Sequence, residues 1–185
     1  MKSRIISWNG CAVSMIAVLP MATSAALAAP SQLYGRSVIV SWQEDRVQAV
    51  AGDSQPRAVS ASAELSVYIS DAGRAFSRVS MTVSGRRTRS GSRDAVQGEG
   101  SARSFGFHGN TMNASMPRGS AGAMQVLVTF DSSFQSCSAH VIAGKAGGAG
   151  FTRVHSMVTG AEVDMYSIKT SGESCRLQSG NVFGN

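Results

Sequence analysis

Four arginines fall between positions 86 and 93: Arg86, Arg87, Arg89 and Arg93. A guanidinium presents a planar fork of donors that matches phosphate or carboxylate in two-point geometry. The cluster reads first as a solvated connection, partly neutralised by Asp94 and Glu99. The alternative is an anion grip, with an anionic glycan, a lipid headgroup or a partner as the bound group. Glu162 and Asp164 lie two apart and share one face if their segment is a strand. Such a pair can form an acid/base or cation site, or simply a solvated face. His108, His140 and His155 are scattered and read as strand-surface residues. The chain holds no Gly-x-Ser-x-Gly elbow, no His-Glu-x-x-His pair and no glycine-rich phosphate loop opening a helix. No catalytic residue, metal site or cofactor is assigned. Met112, Met116, Met124 and Met165 suit a core, or the wall of an adaptable ligand cavity.

The first 28 residues carry an address. Lys2 and Arg4 precede an apolar run from Cys11 to Leu19, and Ala26-Leu27-Ala28 places small residues at alternate positions. This is the pattern of a secretory signal peptide, with Ala29 as the expected first residue after cleavage. Ser14, Pro20, Thr23 and Ser24 interrupt the run, which argues against a retained membrane anchor. Cys11 precedes the apolar run instead of following it, which argues against a lipidated cysteine. The expectation is a periplasmic or secreted protein with one domain over 29–185 and no transmembrane segment after processing.

Export bears on the cysteines. Cys11 leaves with the leader, and Cys137 and Cys175 remain. An even pair in an oxidising compartment is expected to form a disulfide. No Cys-x-x-Cys motif and no histidine near Cys175 favours a redox or metal role.

Composition narrows the class. Charged residues are 15% of the chain against a norm of about 25%, and there are 20 glycines. Low charge with abundant Gly and Ser suits short strands and turns over long solvated helices. The net charge of +6 loses Lys2 and Arg4 with the leader, leaving +4. A modest basic excess is compatible with an anionic envelope component as partner, or with solubility alone. Export removes nucleic acid from consideration, and no nucleic-acid-binding motif is present.

The elements that must position these residues are strands. Val38, Val40 and Trp42 alternate with Ser37, Ile39 and Ser41. Gln43 to Ala61 is polar and reads as a long connection. Residues 64–83 form the best hairpin candidate, around Asp71-Ala72-Gly73 with Gly73 able to take positive φ. Ser84 to Ser101 is poor in apolar residues and is expected to be a flexible basic loop. Phe105 and Phe107, then Met112, Ala114 and Met116, then Met124, Val126, Val128 and Phe130 continue the alternation. Cys137 shares a face with Ala139 and Val141, and Cys175 with Leu177, so both thiols are expected to face the core. The fold class is all-β, an antiparallel up-and-down barrel or two-layer β-sandwich of about eight strands with one disulfide. The polar outer faces and the 6% aromatic content argue against an outer-membrane barrel.

Three stretches, LSVYISDAGRAFSRVS at 65–80, VTFDSSFQSCSAH at 128–140 and CRLQSGNVFG at 175–184, resemble a group of small exported bacterial proteins without an attached activity. The resemblance implies export and common ancestry and transfers no site residue. A non-enzymatic binding or interaction module in the cell envelope is the leading expectation. A barrel of about eight strands has room for one small apolar ligand. The alternatives are an inhibitor of a secreted hydrolase and, below it, an enzyme with an unrecognised site. Oligomeric state is not legible in the sequence.

Overall fold

The computed structural model describes residues 28–85, 87–96, 104–117, 123–144 and 150–184. After a 3-10 turn at Ser31–Leu33, ten strands follow among the described residues. They are β1 Arg36–Val50, β2 Arg57–Ile69, β3 Ala75–Ser84, β4 Arg89–Val96, β5 Ser104–His108, β6 Thr111–Pro117, β7 Ala123–Phe130, β8 Cys137–Ile142, β9 Thr152–His155 and β10 Glu162–Ser179. The all-β expectation holds, with ten strands against the eight or so anticipated.

The strands form a six-stranded sheet in the order β4-β3-β2-β1-β10-β9 and a four-stranded sheet in the order β5-β6-β7-β8. Every paired neighbour is antiparallel. The order is that of an up-and-down meander whose last long strand returns to pair with the first. It is cut into two sheets between β4 and β5 and between β8 and β9. Both barrel-like order and two-layer packing are therefore present in one molecule.

Alternation dictates the packing. Val38, Val40 and Trp42 of β1, Leu65 and Val67 of β2, and Val79 and Met81 of β3 face inward. They meet Phe105 and Phe107 of β5, Met112 and Ala114 of β6, and Val126, Val128 and Phe130 of β7 in one apolar core. Gly73 takes φ +77° in the β2–β3 turn, as its sequence context suggested. That turn is closed by Gly73 N–H donating to the Ser70 carbonyl at 2.8 Å.

Two expected connections are instead strands. Gln43 to Ala61 holds the second half of β1 and the start of β2, paired from Gln43↔Ser62 to Gln48↔Arg57. The apolar rhythm fades there because the inward positions are Glu44 and Arg46, opposite the small Ala61 and the half-buried Val59. The segment read as a flexible basic loop is also corrected. Arg89–Val96 is β4, an edge strand hydrogen-bonded to β3. Its side-chain anchors are polar: Arg78 Nε donates to Asp94 Oδ1 at 2.8 Å, and Thr82 and Ser90 share a hydroxyl contact at 2.8 Å. Edge strands tolerate such composition because charge discourages further pairing. Residues 97–101 of that expected loop, and Arg86, lie outside the described residues.

Cys137 and Cys175 are bonded, with Cα atoms 5.6 Å apart, within the usual disulfide range. Both pack against the core, as their strand phase requires. The bond ties β8 of one sheet to β10 of the other. Beside it, the Thr170 hydroxyl donates to the Val141 carbonyl at 2.9 Å across the same seam. No helix among the described residues is long and apolar enough to cross a membrane.

The disulfide spans 38 positions. The chain-entropy model gives about 4 kcal/mol for a loop of that length. For a chain of this size that corresponds to a fall in melting temperature of roughly 10 °C. Calorimetry of the Cys137→Ser/Cys175→Ser double variant against the oxidised parent is expected to show this fall.

Candidate functional site

A cavity of about 760 Å³ opens at one end of the six-stranded sheet. Three connections gather at that end: residues 51–56 between β1 and β2, residues 85 and 87–88 between β3 and β4, and 156–161 between β9 and β10. Among the described residues, the four-stranded sheet supplies Met116 and Met124 to its lining, from a cross-strand pair of β6 and β7. The volume is that of an ordinary small-molecule site, which runs about 300–1,000 Å³.

The lining changes character with depth. Trp42, Val79, Met81, Met116 and Met124 are buried and apolar. Arg57, Arg87, Arg89 and Arg93 line the same cavity and are exposed. Strand phase explains the inward arginines. Arg89 and Arg93 sit opposite Val83 and Val79 of β3, so they point to the same concave face as those valines. Arg57 opens β2 opposite Gln48. Asp53 is the one acidic residue of the lining among the described residues.

Part-way along β1 the inward face carries charge. Glu44 is 0% exposed and Arg46 8%. The Trp42 Nε1–H donates to Glu44 Oε1 at 2.7 Å, and Arg46 Nε donates to Glu44 Oε2 at 2.6 Å. Arg46 Nη2 also donates to Glu44 Oε2 and lies 2.9 Å from Met81 Sδ. Burying a carboxylate without these partners would be strongly unfavourable. The Trp42-x-Glu44-x-Arg46 spacing is period two, so one strand face delivers all three groups.

The β9–β10 connection acts as a strap across the mouth. It reaches β4 at Gly91, where an added Cβ would run into the Met157 carbonyl group and lie 3.0 Å from Val158 Cα. The two edges of the six-stranded sheet therefore approach each other through a position that only glycine can occupy. Met157 and Val158 of the strap contribute apolar lining.

The acidic pair of β10 has a different setting from an acid/base site. Glu162 and Asp164 do share a face, opposite His155 and Arg153 of β9. Arg153 occupies the space between them. Its Nε donates to Asp164 Oδ1 at 2.7 Å and its Nη2 to Asp164 Oδ2 at 2.9 Å, with Glu162 Oε2 3.9 Å from Nε. The Arg153 hydrogen bonds and charge, with a further bond from the Gly52 backbone, hold the Asp164 carboxyl below its usual range against the opposing effect of burial. Among the described residues no His155–carboxylate ion pair forms and no cluster of metal-ligating side chains occurs.

Of the arginines singled out in the sequence, Arg87, Arg89 and Arg93 are brought to the cavity. Met116, Met124 and Met165 line it as well, whereas Met112 is wholly buried in the core. His155 is on the exposed rim, and His108 and His140 are not in the lining. The sequence reading missed Arg57, the Glu44–Arg46 pair, Met81 and the strap. Only the last two inward charges of β1 left a signal, the period-two run after Trp42. Comparison with protein families, with curated proteins and with solved structures finds no match.

Arg46→Met leaves a buried carboxylate uncompensated, and urea unfolding is expected to show a loss of about 3–5 kcal/mol. The Glu44→Gln/Arg46→Met double variant keeps an acceptor for Trp42 Nε1 and buries no charge, so it recovers most of that loss. A second expectation concerns acid. A carboxyl depressed on folding adds stability above its unfolded value, about 3.9, and loses it as pH falls through the lower folded value. The melting temperature of the parent is therefore expected to fall more steeply below about pH 4 than that of Asp164→Asn, measured by circular dichroism.

Proposed function

We propose that this is an exported, non-enzymatic binding protein of the cell envelope that holds one small, largely apolar ligand. The observation that carries the reading is the cavity of about 760 Å³ with a floor of Trp42, Met81, Met116 and Met124. Methionine side chains adapt to varied apolar shapes, which suits a ligand wall as well as a core. The disulfide is compatible with the oxidising compartment that the leader specifies. The resemblance to small exported proteins points the same way. An inhibitor reading is less favoured, since it needs a projecting ordered loop, whereas the strap lies back against β4 at Gly91. An enzyme reading is less favoured because Asp164 is engaged on both oxygens by Arg153.

The test uses the neutral fluorophore N-phenyl-1-naphthylamine. The protein recovered from an envelope fraction is expected to bind it with one-to-one stoichiometry and enhanced probe emission. Val59→Trp, at a half-buried wall position, is expected to abolish the enhancement with little change in melting temperature. Absent binding, or binding indifferent to Val59→Trp, would refute a ligand cavity. N-terminal sequencing of the same material tests export, and Ala29 is the expected first residue.

A further inference from the structure

We infer that the occupant of the cavity is a single-chain amphiphile ending in an oxyanion, seated tail-down with its head among the rim arginines. The inference rests on the cavity reading above and adds the chemistry and orientation of the ligand.

Charge is the first argument. Arg46 and Arg153 line the cavity but are matched to Glu44 and Asp164. Arg57, Arg87 and Arg89 form no ion pair among the described residues. They come from the start of β2, the β3–β4 connection and the start of β4, so they reach the mouth from different segments of the chain. Forked donors from separate segments suit the several oxygens of a carboxylate or phosphate. A neutral ligand would leave these guanidiniums crowded without return, since Asp53 is the only acid of the lining among the described residues.

Shape is the second argument. The lining residues of β1 run from Trp42 to Val50. The eight steps of extended strand from Trp42 to Val50 span roughly 26 Å, so the space is long as well as deep. Apolar groups hold its floor beside the mutually neutralised Glu44–Arg46 pair, and Arg57, Arg87 and Arg89, which form no ion pair among the described residues, lie exposed at the mouth. At about 30 Å³ per heavy atom, the share of a water molecule in the liquid, the volume admits about 25 heavy atoms. That accommodates one acyl chain with a compact head, and a two-chain phospholipid needs about twice as much. The strap residues Met157 and Val158 then cover the chain where it passes β4.

The experiment is calorimetric titration of the intact protein with a series sharing one tail: decanoate, decyl phosphate, decanol and decyltrimethylammonium, all below their aggregation limits. The anions are expected to bind one-to-one and at least tenfold more tightly than the alcohol, with the ammonium weakest. Added methylenes are expected to tighten binding about fourfold each, the equivalent of roughly 0.8 kcal/mol. In Arg57→Gln/Arg89→Gln, the anion-over-alcohol ratio is expected to collapse toward one while the protein still unfolds cooperatively. Stronger binding of decanoate or of decyl phosphate identifies the natural head as carboxylate or phosphate. If all four heads bind alike, or if the double variant keeps its preference for anions, the headgroup assignment is wrong while N-phenyl-1-naphthylamine binding still supports a ligand cavity. If neither that probe nor any decyl compound binds, the cavity reading itself has failed.

Discussion

The pairing of β1 with β10 is the constraint on which the architecture rests. It joins the first and last long strands of the chain, from Arg36↔Ser179 to Val50↔Val163. A meander that returned its last strand elsewhere would leave β1 as an edge, with a row of unpaired backbone donors and acceptors. With the pairing made, β1 is central and can carry a wholly buried inward face. The register slips twice along the ladder, between Ser41 and Gln43 and between Val47 and Gln48. Such irregularities raise local twist and bend a strand, as a curled sheet requires.

Curling produces the two halves of the molecule. At one end the six-stranded sheet is covered by the four-stranded sheet, and the shared interior is a filled apolar core. At the other end, Met116 and Met124 are the residues of the four-stranded sheet that reach the interior among those described. There the sheet closes on itself through the strap at Gly91. The disulfide and the Thr170–Val141 hydrogen bond hold the seam between β8 and β10. A covalent tie at this seam makes sense because no backbone ladder joins the two sheets there.

The polar interior of the cavity follows from the same geometry. A strand that passes from a filled core into an open cavity keeps its period of two, so its inward positions continue past the last apolar partner. On β1 these become Glu44 and Arg46, which must be matched to each other because water reaches neither well. On β4 the inward positions are Arg89, Gly91 and Arg93. At the mouth, solvent can hydrate the exposed guanidinium of Arg89, which forms no ion pair among the described residues. The gradient from Met to Arg is thus a gradient in access to water.

The sequence by itself determined the strand class, the β2–β3 hairpin, the core faces of β5 to β8 and the pairing of Cys137 with Cys175. Each rests on local alternation or on simple counting, which do not depend on what lies opposite. It also marked Arg87, Arg89 and Arg93 as a group. It did not show that residues 43–50, 57–61 and 89–96 are strand, because the inward positions Glu44, Arg46, Ala61, Arg89, Gly91 and Arg93 carry no hydrophobic rhythm. Only the tertiary structure decided that Arg57 joins the other arginines, that Glu44 is neutralised by Arg46, and that the strap meets β4. Those contacts join residues distant in sequence or depend on what surrounds a strand face. They are set by sheet curvature and strand order, neither of which the residue pattern of an isolated strand encodes.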